Sequence, residues 1–271
     1  MNIMQQAPQT LAVIPLTHAG PTMRWRNEAL RSHPTGRLIL ISKGQGRITV
    51  AGLTNGYGPN NLIFLPPQTM FGMEVGPTTH GQMLTVPDST DWPSQPVHLR
   101  LLDAWLQKEA VHYLEQIEKE LQPTGDVKAA HLWQALLAIF VRRQAQSQVA
   151  TPNDSRRDSA AAKLVARYTQ LIARDYRLDR GVGSYAAELG VTPTHLARCC
   201  QQIAGRSPLA LLNARIHFEA CVLLRDTAMP VNQIAELLGF QSAAYFTRSF
   251  QDQAKQTPTD FRRAKARTTL R

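Results

Sequence analysis

The chain has 271 residues, with 30 Lys and Arg against 20 Asp and Glu for a formal charge of +10, and 43% of its residues are hydrophobic. That length and apolar content suit about two packed domains and exclude both a disordered chain and a mini-protein that needs staples. Three cysteines exclude a disulfide framework, and the absence of a secretory-type start or a run of about 18 apolar residues leads to the expectation of a soluble, cytoplasmic chain without membrane contact.

The first hundred residues have the pattern of β structure. Leu38 to Ile41 and Arg47 to Val50 are β-rich runs separated by Lys43, Gly44, Gln45 and Gly46, a spacing that suits a hairpin. Asn55-Gly56 and Gly58-Pro59 predict a further turn, Leu62 to Leu65 a short strand stopped by Pro66-Pro67, and Met70 to Val75 and Gln82 to Val86 two more strands. Short strands with tight Gly and Pro turns predict a sandwich or barrel.

From about Val97 the pattern changes to helix. Leu102, Trp105 and Leu106, then Leu114, Ile117 and Leu121, recur at three- and four-residue spacings up to the breaker Pro123-Thr124-Gly125. A second helix carries Leu132, Ala135, Leu136, Ile139 and Phe140 as an apolar stripe. Those stripes require burial, either on the β domain or against a second subunit, and spacing leaves both open. Trp105 and Trp133 are core or interface anchors on either reading.

A polar stretch from Thr151 to Ser159 divides the chain, with a net charge of +2 before it, zero within it and +8 after it, out of +10. Residues 160–271 therefore carry most of the excess, as expected of a domain that sits on a polyanion. Arg142-Arg143 and Arg156-Arg157 read as solvated linker charge. Beyond the linker the pattern is helical throughout. Thr192-Pro193, Ser207-Pro208 and Thr257-Pro258 each put a hydroxyl N-cap before a proline at the first helical position, and Gly190, Gly205 and Gly239 mark stops. About seven helices follow: Ala160 to Arg174, Gly183 to Leu189, Pro193 to Ala204, Pro208 to Asp226, Val231 to Leu238, Ser242 to Ala254, and a short one from Pro258.

This segment repeats. Ala186, Leu189 and Gly190 recur 49 residues on as Ala235, Leu238 and Gly239; Leu196, Arg198, Gln201, Ala204, Ser207 and Pro208 recur at a spacing of 50 as Phe246, Arg248, Gln251, Ala254, Thr257 and Pro258. Each copy is a short helix, a Gly-containing turn and a second helix with a polar face, the form of a helix-turn-helix. In the first copy Leu196, Cys199, Cys200 and Ile203 face inward and Thr194, Ala197, Arg198 and Gln201 outward. In the second Phe246 and Phe250 face inward and Ala243, Ala244, Thr247, Arg248 and Gln251 outward. Arginine pairs bidentately with guanine, glutamine with adenine, and Thr or Ala suits thymine methyls or phosphates. The connecting helix, about 28 Å long at 1.5 Å per residue, would hold two such helices near successive major grooves about 34 Å apart, with a modest bend in the DNA.

The run GSYAAELGVTPTHLARCCQQIAGRSPLALLNARIHFEACVLL, followed by VNQIAELLGFQSAAYFTRSFQDQAKQTPTDFRR, resembles the DNA-binding domain of AraC/XylS-type transcriptional regulators over about Val182 to Arg263. Ile234-Ala235, Gly239-Phe240, Phe246, Phe250 and the ending from Thr257-Pro258 to Arg262 carry the likeness. The resemblance implies base-facing roles for Thr194, Ala197, Arg198, Ala244, Thr247 and Arg248, and DNA-backbone contacts by Gln201, Arg215 and Gln251. Cys200 stands where the family usually has Phe, and Ala197 and Ala244 are short where polar readers are common.

The N-terminal part resembles the cupin-like sensor domains of that family, with GPNNLIFLPPQTMFGM in place of the usual Gly-Asp and Pro-Pro-His pattern. The fold expected from all of this is mixed. Residues 1–148 form a cupin-like β-barrel sensor with two amphipathic helices, 149–159 a linker, and 160–271 an all-α domain with two helix-turn-helix motifs. The likeness implies a small-molecule effector in the β domain, with His33, Arg37, Phe64, Met73 and His80 as pocket residues. The partners expected are double-stranded DNA, the effector, a second copy through helices within 97–148, and RNA polymerase. No cofactor or metal is expected: His18, His33 and His80 are scattered, without an H-x-H pair. No phosphate loop, GxGxxG or GxSxG element supports enzyme chemistry. Two other readings are a regulator without ligand, controlled by abundance or protein contacts, and a cupin enzyme with a basic helical interaction module. Cys199 and Cys200 read as small apolar core groups rather than thiol sensors.

Overall fold

The structure, a computed structural model, describes residues 10–20, 23–88, 90–147 and 158–268. The expected linker at 149–159 lies outside the described residues except for Asp158 and Ser159, as do Arg156 and Arg157. Among the described residues eight strands build the N-terminal domain: β1 (Ala12–Leu16), β2 (Gly36–Lys43), β3 (Gly46–Val50), β4 (Leu53–Tyr57), β5 (Asn61–Leu65), β6 (Phe71–Met73), β7 (His80–Val86) and β8 (Val97–Arg100). They form two antiparallel sheets, ordered β1-β7-β2-β5-β8 and β4-β3-β6, rather than a closed barrel.

A short helix α1 (Trp25–Glu28) precedes β2, and α2 (Ala104–Glu120) and α3 (Val127–Ser147) follow β8. The result is three layers with two cores. Ile39, Ile41, Ile48, Ile63, Leu65, Phe71 and Met73 fill the space between the sheets. Leu38, Leu40, Leu62, Phe64 and Leu84 pack from the other face of the large sheet onto Ala110, Leu114, Ile117, Leu137 and Val141 of the two helices. Strand β2 is covered on both faces, so its run from Leu38 to Ile41 is continuously apolar where a half-exposed strand would alternate.

Three of the expected local features are different. The runs on either side of Lys43 to Gly46 do not pair with each other. β2 pairs with β5 and β7, and β3 with β4 and β6. Gly44, at φ +86°, turns the chain from one sheet to the other so close to Thr79 that a Cβ there would lie 2.6 Å from the Thr79 Cα. The tight hairpin is instead β3 to β4, turning at Ala51 and Gly52, both with positive φ, and Asn55-Gly56 lies inside β4. Val97 begins a strand rather than a helix; helix starts at Ala104, where the Asp103 carboxylate accepts from the Trp105 N–H.

The C-terminal domain contains α4 (Ala160–Asp175), α5 (Val182–Glu188), α6 (Pro193–Ala204), α7 (Pro208–Asp226), α8 (Val231–Leu237), α9 (Ala243–Ala254) and α10 (Pro258–Thr268). Thr192, Ser207, Ser242 and Thr257 cap their helices through the side-chain oxygen, each accepting a backbone N–H at 3.1 to 3.2 Å. The helical core is continuous with the β domain through Leu30, Leu53 and Met70. Trp25 of α1 packs on Phe218 and Phe261, Arg26 pairs with Asp226 at 2.6 Å, and Gly52 meets Val165 of α4 closely enough that a Cβ would stand 2.6 Å from its methyl.

Candidate nucleic-acid interface

In each repeat the second helix is seated by its apolar stripe. Leu196, Cys199, Cys200 and Ile203 of α6 are buried, and so are Phe246 and Phe250 of α9. Burial pushes the Cys200 thiol up to about 12, which suits an inert core group rather than a reactive thiolate. A helix buried along one stripe must present the opposite one. Thr194, Ala197, Arg198 and Gln201 are exposed on α6, and Ala244, Arg248 and Gln251 on α9. Thr247 is half-buried, and its hydroxyl donates to the Ala243 carbonyl at 2.8 Å, so its methyl is the more available part.

Two exposed rings join these faces that residue pattern alone did not single out. His195 lies between the exposed Thr194 and Arg198. Its Nδ1 accepts from Arg198 Nη2 at 3.2 Å, which leaves the proton on Nε2, 3.6 Å from Cys199 Sγ. Tyr245, at the equivalent position 50 residues on, is 57% exposed and touches Phe240. The signal available was their shared position three residues before Arg198 and Arg248.

Arg215 is placed elsewhere than expected. On α7 it shares the inward row of Leu211 and Glu219, spaced by four, and is only 5% exposed. Its guanidinium donates to Glu219 at 3.1 Å and Ser32 at 3.3 Å and lies 3.9 Å over the Tyr176 ring. In this arrangement it is withdrawn from any DNA-facing surface.

The five expected pocket residues do not converge. Phe64 is fully buried in the layer between sheet and helices, stacked on Trp92 at 4.7 Å, whereas Met73 is buried in the layer between the sheets. His80 is exposed at the start of β7 with Nδ1 near the Thr78 carbonyl. Strand alternation separates these side chains, since successive residues serve opposite faces. His33 faces the Phe71 ring at 5.8 Å, and its own ring is held well below its ordinary range, first by burial and then by Arg37, Arg31 and Arg215.

The expected stripe on α3 is divided. Leu132, Leu136 and Ile139 are exposed at 68%, 45% and 37%, while Ala130, Gln134, Leu137, Ala138, Phe140 and Val141 are buried. Leu102 and Trp105 are also exposed, at 78% and 72%. The β domain therefore does not cover these side chains. Among the described residues no three His, Cys, Asp or Glu side chains are grouped to hold a metal ion, and no helix is long and apolar enough to cross a membrane.

Residues 185–264 match the family model described as a helix-turn-helix domain, a stretch that contains both repeats. The C-terminal domain is of the AraC/XylS type. Its similarity extends to the probable bifunctional transcriptional activator/DNA repair enzyme AlkA of Mycobacterium tuberculosis, 41% identical over 106 residues, 38% of this chain and 21% of that protein. The right origin-binding protein of Escherichia coli is 38% identical over 79 residues, 29% of this chain and 27% of its own. The chain thus spans between a fifth and about a quarter of the length of these curated relatives. A single-site variant of apo ToxT from Vibrio cholerae has the same overall fold, with a TM-score of 0.50 at 12% identity, covering 96% of this chain and 98% of that one.

Proposed function

We propose that this AraC/XylS-type protein is a sequence-specific DNA-binding transcriptional regulator, acting in the cytoplasm on double-stranded DNA. One observation carries the reading: two repeated helices are each anchored by a buried stripe and each turn an arginine, Arg198 or Arg248, outward at the equivalent position. Thr194, Ala197, Ala244 and Thr247 are the proposed accompanying base contacts, with Gln201 and Gln251 on the DNA backbone. The +8 charge of residues 160–271 supplies salt-dependent attraction to any duplex, and the outward side chains supply selectivity.

The N-terminal domain is the proposed sensor, controlled by a small molecule that shifts the population of arrangements in which the two readers are held. The exposed row of Leu132, Leu136 and Ile139 on α3 is the proposed contact between two copies, since an apolar row left uncovered favours burial against a like surface. RNA polymerase is a further proposed contact.

The test is immunoprecipitation of genomic DNA, followed by titration of the recovered duplex with the full-length protein at several salt concentrations. The expected result is one shared sequence motif and an affinity that falls steeply with salt. Recovery of no common sequence, with equal affinity for scrambled duplex, overturns the reading.

A further inference from the structure

Residues 175–180, at the end of α4 and ahead of α5, touch both helix-turn-helix motifs. Asp175 accepts from Arg174 at 2.7 Å and from Arg180, and both arginines also hold Glu188 at the end of α5, at 2.9 and 2.6 Å. Arg180 lies 4.6 Å over the ring of Tyr185, a fully buried residue of α5. The segment is thereby fixed to the first motif. Arg177 meanwhile donates to Glu219 of α7 at 3.1 Å, and the Asp179 carboxylate accepts from Gln241, in the turn of the second motif, at 3.2 Å.

The turn glycines of the two copies differ in what surrounds them. Gly190 and Gly239 stand at equivalent positions, and both have left-handed backbone, at φ +71° and +80°. A Cβ at Gly190 would meet nothing within 4 Å, whereas one at Gly239 would stand 2.8 Å from the Arg177 carbonyl oxygen and 3.3 Å from the Asp179 nitrogen. The left-handed turn accounts for glycine at both positions; at the second, the backbone of residues 177–179 also approaches too closely for any side chain. The contact is therefore an addition to the helix-turn-helix form rather than part of it.

The second motif also packs on α7, with Phe250 of α9 against His217 at 4.9 Å. Contact with one helix leaves rolling about that helix as a soft motion, and a hold on a segment outside α7 opposes it. Rolling matters on DNA, because one base pair added between two half-sites moves the second by about 3.4 Å along the duplex and about 34° around it. We propose that residues 175–180 brace the two motifs at one separation and rotation, with Gly239 as the positioning residue, so that this chain selects DNA by the spacing of two half-sites as well as by their bases. The spacing role rests on the DNA-binding reading above.

The experiment compares two glycine variants that carry the same kind of backbone strain. Gly239→Ala adds a Cβ that must push residues 177–179 away, and Gly190→Ala, in open space, leaves them in place. Each full-length protein is titrated with the recovered duplex and with duplexes lengthened or shortened by one base pair between the half-sites. The unmodified chain and Gly190→Ala should each lose at least about tenfold in affinity on either change, and Gly239→Ala less than about threefold, or it should prefer a changed spacing. The ratio is taken within one protein, so a general loss of stability does not move it. A second measurement, without DNA, places spin labels at Gln202→Cys and Asp252→Cys, equivalent exposed positions of α6 and α9 in a chain whose own described cysteines are buried. One narrow distance distribution is expected in the unmodified chain and in Gly190→Ala, and a broader or displaced one in Gly239→Ala. If Gly239→Ala does not fold, Arg177→Ala combined with Gln241→Ala takes its place, since it removes two side-chain holds and keeps the glycine. Label distances in Gly239→Ala equal to those of the unmodified chain, an unmodified chain indifferent to spacing, or the same spacing response in both glycine variants overturns the proposal. Absence of sequence-selective binding overturns the DNA-binding reading and the spacing role with it, and the label distances then still decide whether the brace exists.

Discussion

In the first helix-turn-helix copy the reading helix is seated by Leu196, Cys199, Cys200 and Ile203, a set of small and aliphatic groups. In the second, Phe246 and Phe250 seat it within a chain of rings, Phe240 to Phe246 at 5.2 Å, Phe246 to Phe250 at 5.9 Å and Phe250 to Phe261 at 5.4 Å. The first helix ends on Gly205 at φ +62°, the second on Lys255 at φ +56°, fifty residues later. The first reading arginine leans on His195, whereas Arg248 has no ion-pair partner among the described residues. The comparison shows that the outward geometry is held by the shared spacing of inward residues and caps, while the inward chemistry is free to differ.

The contrast is broken or sharpened by four measurements. The largest effect belongs to Phe246→Ala, which should destabilise the protein by about 3–5 kcal/mol in thermal or denaturant melts, against about 1–2 kcal/mol for Cys200→Ala. Equal losses would mean that the aromatic chain is not what holds the second copy.

Next is recognition. Arg248→Ala should weaken operator binding by about 1–3 kcal/mol and relax preference at one base pair. Arg198→Ala should fall at the lower end of that range, because its guanidinium must leave His195 before it can reach a base. Titration of duplexes substituted at single base pairs checks both, and an Arg248 variant with unchanged affinity and selectivity would remove α9 from the reading face.

A third effect concerns the support of the first copy. Asp175 takes Arg174 at 2.7 Å and is bonded by Arg180, and both arginines also hold Glu188 at the end of α5. The hydrogen bond from Arg174, offset in part by burial, holds the Asp175 carboxyl below its ordinary range. A carboxylate depressed in the folded state stabilises above its unfolded value and loses that contribution as pH falls through the folded one. Asp175→Asn should therefore lower stability by about 1–2 kcal/mol near neutrality, with the difference from wild type shrinking in acid. Melts from pH 7 to pH 3 test the sign, and a gap that widens in acid would contradict it. The smallest effect is Lys255→Gly, expected to stabilise by about 0.5 kcal/mol, since glycine takes the left-handed cap without a Cβ penalty but loses more freedom on folding.

Much of the helical domain was legible because its signals are local. Thr192-Pro193 and Ser207-Pro208 announce helix starts through the chemistry of the first turn, and the repeat of Arg198 as Arg248 announces a shared face. The β domain was legible as a class, but its pairing was not. Lys43 to Gly46 has the composition of a hairpin turn, yet close approach to Thr79 turns it into a crossing between sheets. The stripe through Leu132, Leu136 and Ile139 has the right period, but it is the neighbouring row through Ala130, Leu137 and Val141 that the large sheet covers. His195 and Tyr245 went unread because a polar or aromatic residue near a helix start has no periodic signature of its own.

Residue spacing and capping chemistry were enough to establish the double helix-turn-helix, the division of each reading helix into two faces and the concentration of charge beyond residue 160, because each depends on neighbours three, four or fifty positions away along one chain. Which sheet each strand joins, which apolar row stays uncovered, and that Arg215 of α7 is buried against Ser32 were decided only by the tertiary structure. Those are contacts between segments up to about 180 residues apart, such as Ser32 with Arg215, and they are set by the closest packing of whole layers rather than by any local preference.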